Sequence, residues 1–190
     1  MSDRVLRSQI AADYRRVAER PEKLVPWVYL RDLLTHPGLM FCLLLRLQGR
    51  AVAKGHGRVG DLLRSVNVTL TGGDVVSGAL IGAGLLVQHP TGIVIGHGTR
   101  IGTNCTLLQG VTLGERDVRG ESGRRGYPSL GDDVVVGAGA YVLGSVQVGR
   151  GATIGAKSLV LDDVPPGGVV VGIPARLVRQ DDRLGDGTDA

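Results

Sequence analysis

Over most of the second half of this sequence an aliphatic residue recurs at every sixth position, and nothing else in the 190 residues restricts the fold so tightly. The register runs through Ile95, Ile101, Leu107 and Leu113, then through Leu130, Val136, Val142, Val148, Ile154 and Val160. On an α-helix of about 3.6 residues per turn these positions would scatter over three sides, so no single helical face could bury them. The rest of the unit repeats too. Glycine follows the aliphatic at 96, 102, 114, 131, 137, 149 and 155, and a small or β-branched residue stands at the fifth position: Thr99, Cys105, Val111, Val134, Ala140, Val146, Ala152, Ser158 and Val164. Two positions in six therefore face inward. This is the pattern of a triangular coil with one repeat on each side, in which about eighteen residues complete a turn and each turn buries its interior by stacking on the next. The fold it predicts is a left-handed parallel β-helix, one of the few exceptions to the right-handed crossover rule.

Two interruptions break the register. Leu113 and Leu130 are not separated by a multiple of six, and the segment from Glu115 to Pro128, polar and rich in Gly and Arg, is expected to leave the coil as an extruded loop. A smaller irregularity surrounds His89-Pro90-Thr91-Gly92. Before residue 72 the apolar spacing is helical, at Val5, Ile10 and Val17, then from Leu24 to Leu34. Pro37 suits the first turn of a helix running to Gly55, and a further helix is expected over Arg58 to Thr69. The chain thus divides into a helical region at 1–72, a β-helix at 73–178 carrying the loop 115–128, and a flexible tail at 179–190.

Composition agrees with a narrow coil, since glycine is abundant (31) and aromatics are few (one Phe, one Trp, four Tyr). The net charge of +4 is spread along the chain without aromatic stacking platforms, which argues against nucleic acid and suits an anionic cofactor. Cys42 and Cys105 lie in aliphatic runs without metal-ligand spacing and read as small buried hydrophobes of a reducing compartment. The N-terminus lacks the apolar core of a signal peptide and the longest apolar run, Leu39 to Leu45, is too short for a membrane span, so a cytoplasmic location is expected.

Of the four histidines, two fall within the repeats. His97 occupies a corner position and is expected to be solvated surface. His89 stands where the period breaks, and Asp74 precedes it by nearly one coil. Adjacent coils lie about 4.8 Å apart, so the carboxylate could reach the imidazole and fix its tautomer.

The run HPTGIVIGHGTRIGTNCTLLQGVTLG from His89, the run GDDVVVGAGAYVLGSVQVGRGATIGAKSLVLDDVPPGGVVVGIPARLV after the loop, and HPGLMFCLLLRLQ in the helical part resemble the serine O-acetyltransferase branch of the hexapeptide-repeat acyltransferases. That resemblance implies an acetyl-CoA-dependent O-acetyltransferase that works as a homotrimer, with pairing of trimers into hexamers left open. It implies active sites between neighbouring coils, His89 as general base and Asp74 as its partner carboxylate. The pantetheine arm of acetyl-CoA is expected along Ala138, Gly139, Ala140 and Ala156, with Lys157 and Arg176 on phosphates. Gly114 is a candidate backbone donor to the oxyanion. No metal is expected, because three ligands do not converge.

The acceptor side departs from the family pattern. Gln88 stands where an Asp precedes the catalytic histidine, and Tyr127 stands where a second histidine precedes Pro128. Gly126 takes the place of the arginine that grips a carboxylate, although Arg124 and Arg125 are adjacent. Losing a carboxylate removes a partner for an amino cation, so the expected acceptor is the hydroxyl of another small molecule or a sugar, with serine as the first alternative. An amino-sugar N-acyltransferase and a catalytically silent β-helix are further alternatives. The sequence ends DGTDA, without the family's terminal isoleucine, so no cysteine-synthase-type partner is expected.

Overall fold

A computed structural model describes residues 2–18, 26–117 and 126–181. Its N-terminal part holds helices α1 (Asp3–Ala18), α2 (Pro26–Thr35), α3 (Pro37–Ala53) and α4 (Gly57–Thr71). Pro37 opens α3 behind an extended His36, where its missing N–H costs nothing, and Gly55 at φ +82 turns the chain after the last turn. Gly72, left-handed at φ 74, ends α4 with its N–H donating to the Val68 carbonyl. No single helix among the described residues is long and apolar enough to cross a membrane.

The coil follows. Its first turn holds β1 (Asp74–Val75), β2 (Leu80–Ile81) and β3 (Leu86–Val87); its second β4 (Val94–Ile95), β5 (Arg100–Ile101) and β6 (Thr106–Leu107). The third holds β7 (Thr112–Gly114), β8 (Ser129–Leu130) and β9 (Val135–Val136), and the fourth β10 (Tyr141–Leu143), β11 (Gln147–Val148) and β12 (Thr153–Ile154). After β13 (Leu159–Val160) comes a closing hairpin, β14 (Gly168–Gly172) and β15 (Ala175–Gln180). Each turn contributes one short strand to each of three parallel sheets. The first face is β1-β4-β7-β10-β13, the second β2-β5-β8-β11, and the third β3-β6-β9-β12-β14-β15. This is the left-handed parallel β-helix that the six-residue period predicts.

Every aliphatic of the repeat register is buried, from Ile95 to Val160, and so is every fifth-position residue from Thr99 to Val164. Cys42 and Cys105 are buried free thiols, and burial pushes both up, Cys105 to about 11 and Cys42 further. α3 does more than pack against helices: Phe41, Cys42 and Leu45 continue the coil's own hydrophobic core.

One buried ion pair fastens the helices to the coil. Arg46 of α3 and Asp13 of α1 pair at 2.9 Å, with side chains 3% and 2% exposed. The guanidinium also donates to the Ile81 and Gly82 carbonyls, and the carboxylate accepts the Leu85 N–H at 2.9 Å.

Gly38, in the first turn of α3, marks a second point of attachment, because a methyl group there would collide with the Val87 carbonyl. Gly38→Ala is expected to destabilise the protein by roughly 1–3 kcal/mol through overpacking. Gly49→Ala in the same helix, where nothing lies within 4 Å, is expected to stabilise by up to about 1 kcal/mol. Urea denaturation of both variants checks the contrast, and equal effects would remove the close approach at Gly38 as its cause.

Candidate active site

The break in the period at His89 is a local lengthening of one corner. Asp74 pairs with Val94 and Val94 with Thr112, so the first coil takes twenty residues and the second eighteen. The two extra residues fall between β3 and β4, at the corner joining the third and first faces. Pro90 turns inward and is buried, while Gln88 and His89 stay exposed. The Gly92 N–H donates to the Gly72 carbonyl at 2.9 Å and the Ile93 N–H to the Pro90 carbonyl at 3.0 Å, which fixes the bulge from both ends. Since Gly38 abuts the carbonyl of Val87, α3 supports the same corner from behind.

A ledge of exposed backbone descends from His89 along that corner. Gly92, Gly110, Gly139 and Lys157 stack in successive coils, all left-handed, with φ of 74, 69, 65 and 57. A Cβ on Gly92 would sit 3.5 Å from the Gly110 Cα, and one on Gly110 would sit 3.4 Å from the Gly139 Cα. Hydrogen bonds from Gly110 to Thr91, Gly139 to Gln109 and Lys157 to Ala138 tie the steps together at 3.0, 2.7 and 2.8 Å. Gly110 and Gly139 bring no side chain of their own to the ledge, so an extended ligand can approach the main chain there. Ala138, Gly139, Ala156 and Lys157, the residues expected along the cofactor, all lie at this corner. Arg176, on the closing hairpin, is 68% exposed and 4.0 Å from the Asp162 carboxylate. Ala140 does not belong with them: it is fully buried, a fifth-position residue whose methyl group fills the coil interior.

Asp74 lies on β1, in the coil that leads into His89. Its carboxylate is held by α4: Arg64 Nε meets Oδ1 at 2.5 Å and Nη2 meets Oδ2 at 2.7 Å. Within the chain Arg64, rather than His89, is therefore the partner of Asp74. Arg64 gave no sequence signal, because the contact depends on how α4 docks beside β1. Hydrogen bonding to Asp74 raises the guanidinium's own pKa.

Of the expected acceptor residues, Gln88 adjoins His89 and Tyr127 lies elsewhere in the chain. Tyr127 precedes β8 at the corner joining the first and second faces, its ring packed on Gly96, where a Cβ would come within 2.7 Å, and on Gly98. His97 is at the same corner, exposed, with Nδ1 against the Ser77 carbonyl. Gly114 ends β7, also at this corner. The width of the first face thus separates Tyr127 and Gly114 from His89. Arg124 and Arg125 lie outside the described residues.

A cavity of about 690 Å³ is a different place. It lies between α3 and the first two coils, lined mostly by apolar residues such as Val52, Ile81 and Ile101, and contains neither His89 nor Asp74. Among the described residues, His, Cys, Asp and Glu form no group of three placed to hold a metal ion.

The geometry thus gives an exposed imidazole at the head of a row of left-handed corner residues and, on β1, a carboxylate clamped by a guanidinium. Residues 127–162 match the family model described as bacterial transferase hexapeptide (six repeats). The serine acetyltransferase of Synechococcus elongatus is 39% identical over 169 residues, which are 89% of this chain and 67% of that protein. Among solved structures, the Neisseria gonorrhoeae serine acetyltransferase in complex with serine matches with a TM-score of 0.80 and 34% identity, over 94% of this chain and 71% of its own. A serine acetyltransferase in complex with CoA matches with a TM-score of 0.79 and 31% identity, over 93% of this chain and 71% of its own. This chain spans about two thirds of the length of these relatives, and it belongs to the serine acetyltransferase family of hexapeptide-repeat acyltransferases.

Proposed function

We propose that this protein is a cytoplasmic homotrimer that transfers the acetyl group of acetyl-CoA to the hydroxyl of serine. The observation that carries this reading is the exposed His89 at the head of the ledge, in a chain whose relatives are serine acetyltransferases solved with serine and with CoA. The pantetheine arm lies along Ala138, Gly139 and Ala156, with Lys157 and Arg176 meeting its phosphates. Neutral His89 takes the hydroxyl proton as the serine oxygen attacks the thioester carbonyl. The carbon–sulfur bond breaks, and the imidazolium, stabilised by Asp74, returns the proton to the departing thiolate. A trimer supplies the parts that one subunit keeps apart. Packing the first-face corner of one protomer against the His89 corner of the next brings Tyr127 and Gly114 to the acceptor.

Gln88 and Tyr127 favour a second reading, in which the acceptor is a different hydroxyl compound. A neutral amide accepts a hydrogen bond from an ammonium but forms no ion pair with it. Thiol release from acetyl-CoA should therefore be measured with serine, homoserine, sugars and amino-sugars. Serine is expected to give the highest kcat/KM, and Gln88→Asp should raise it by about tenfold, the worth of one charge-assisted hydrogen bond. A non-amino hydroxyl acceptor that outperforms serine, and that Gln88→Asp does not improve, would establish the second reading instead.

A further inference from the structure

We infer that Arg64 is a positioning residue of the acetyl-transfer site: it holds Asp74 in the orientation that serves His89 and offsets the field of that carboxylate at the imidazole. The inference rests on the reading of His89 and Asp74 as base and partner, and goes beyond it. Arg64 lies two turns before the end of α4, and Asp74 follows that end by three residues. The guanidinium reaches back over the last two turns of the helix and engages both carboxylate oxygens, at 2.5 and 2.7 Å. Two parallel bonds of this kind fix the plane of the carboxylate as well as its place. Each oxygen keeps a further lone pair, so Arg64 does not exhaust Asp74 as an acceptor for an imidazole N–H. Both side chains are only about one-third exposed, at 35% and 30%, which limits competition from water.

The charged groups that meet here are few. α4 brings Arg64 and, further off, Asp61; β1 brings Asp74; the neighbouring strand β4 brings the uncharged Val94; and the corner before β4 carries His89. An uncompensated carboxylate beside an imidazole favours the imidazolium and would keep the base protonated at neutral pH. The Arg64 cation opposes that effect.

The test is the pH profile of kcat/KM for thiol release, measured for Arg64→Met, Arg64→Lys and Asp74→Asn. Arg64→Met keeps the apolar stem and removes the charge. Its acid limb should move up by about one pH unit, so that the rate at pH 6 falls roughly tenfold while the high-pH plateau changes less. Arg64→Lys restores the charge without the fork, so its limb should return to the wild-type position over a lowered plateau. An unshifted limb in Arg64→Met, with only a lower melting temperature, would make Arg64 a structural strap and overturn the inference. Asp74→Asn separates this failure from the other: a plateau equal to wild type would remove the pairing of Asp74 with His89 itself, and the role of Arg64 with it.

Discussion

His89→Ala should lower kcat for acetyl transfer by about a thousandfold, the middle of the range that a positioned general base contributes. The KM for acetyl-CoA should change little, because the ledge proposed to receive the cofactor is built from Ala138, Gly139, Ala156 and Lys157 and not from the imidazole. Stability should hardly move. His89 is exposed on a bulge whose hydrogen bonds are all made by backbone, at Gly92 and Ile93. Surface changes of this kind usually stay within about 0.5 kcal/mol. Steady-state kinetics and a melting curve on one preparation separate the two effects. A variant that kept wild-type turnover would leave another group as the base.

Asp13→Ala should destabilise the protein by about 3–5 kcal/mol, the usual cost of leaving one member of a buried ion pair without its partner. Two losses combine. Arg46 keeps its hydrogen bonds to Ile81 and Gly82 but loses its counter-charge at a site where it is 3% exposed. The Leu85 N–H loses its acceptor on the same buried oxygen. Because the pair joins α1 and α3 to the first coil, and β3 leads directly into Gln88 and His89, the variant should also lose activity before it fully unfolds. Urea denaturation with parallel activity readings tests both parts. A loss of less than about 1 kcal/mol would mean that Arg46 finds water or another carboxylate.

The fold was legible because the six-residue period is a direct record of burial. Ile95, Leu107 and Val142 each sit in the coil interior at the place the count assigns them. The bulge at His89 was legible for the same reason, as a departure from a strict repeat. Ala140 shows what happens when two readings of one residue compete. The period assigned it to the interior and the resemblance assigned it to the cofactor, and the interior holds it. The contacts that could not be read join residues distant in sequence through the docking of helices. Arg64 on Asp74 and Arg46 on Asp13 both depend on where an α-helix meets the coil, which no local pattern encodes. Tyr127 is a different case. Its position in the motif was readable, but which corner of the triangle it occupies relative to His89 follows from counting sides, and the two lie at opposite edges of the first face.

The claim at the centre of this account is that acetyl transfer takes place on the ledge below His89. A crystal structure of the protein with CoA tests it most directly. The account predicts the CoA sulfur within about 3.5 Å of a His89 ring nitrogen, the pantetheine arm against Gly110 and Gly139, and the phosphates toward Lys157 and Arg176. CoA seated instead in the apolar cavity beside α3, or at the His97 corner without a neighbouring subunit's His89, would contradict it.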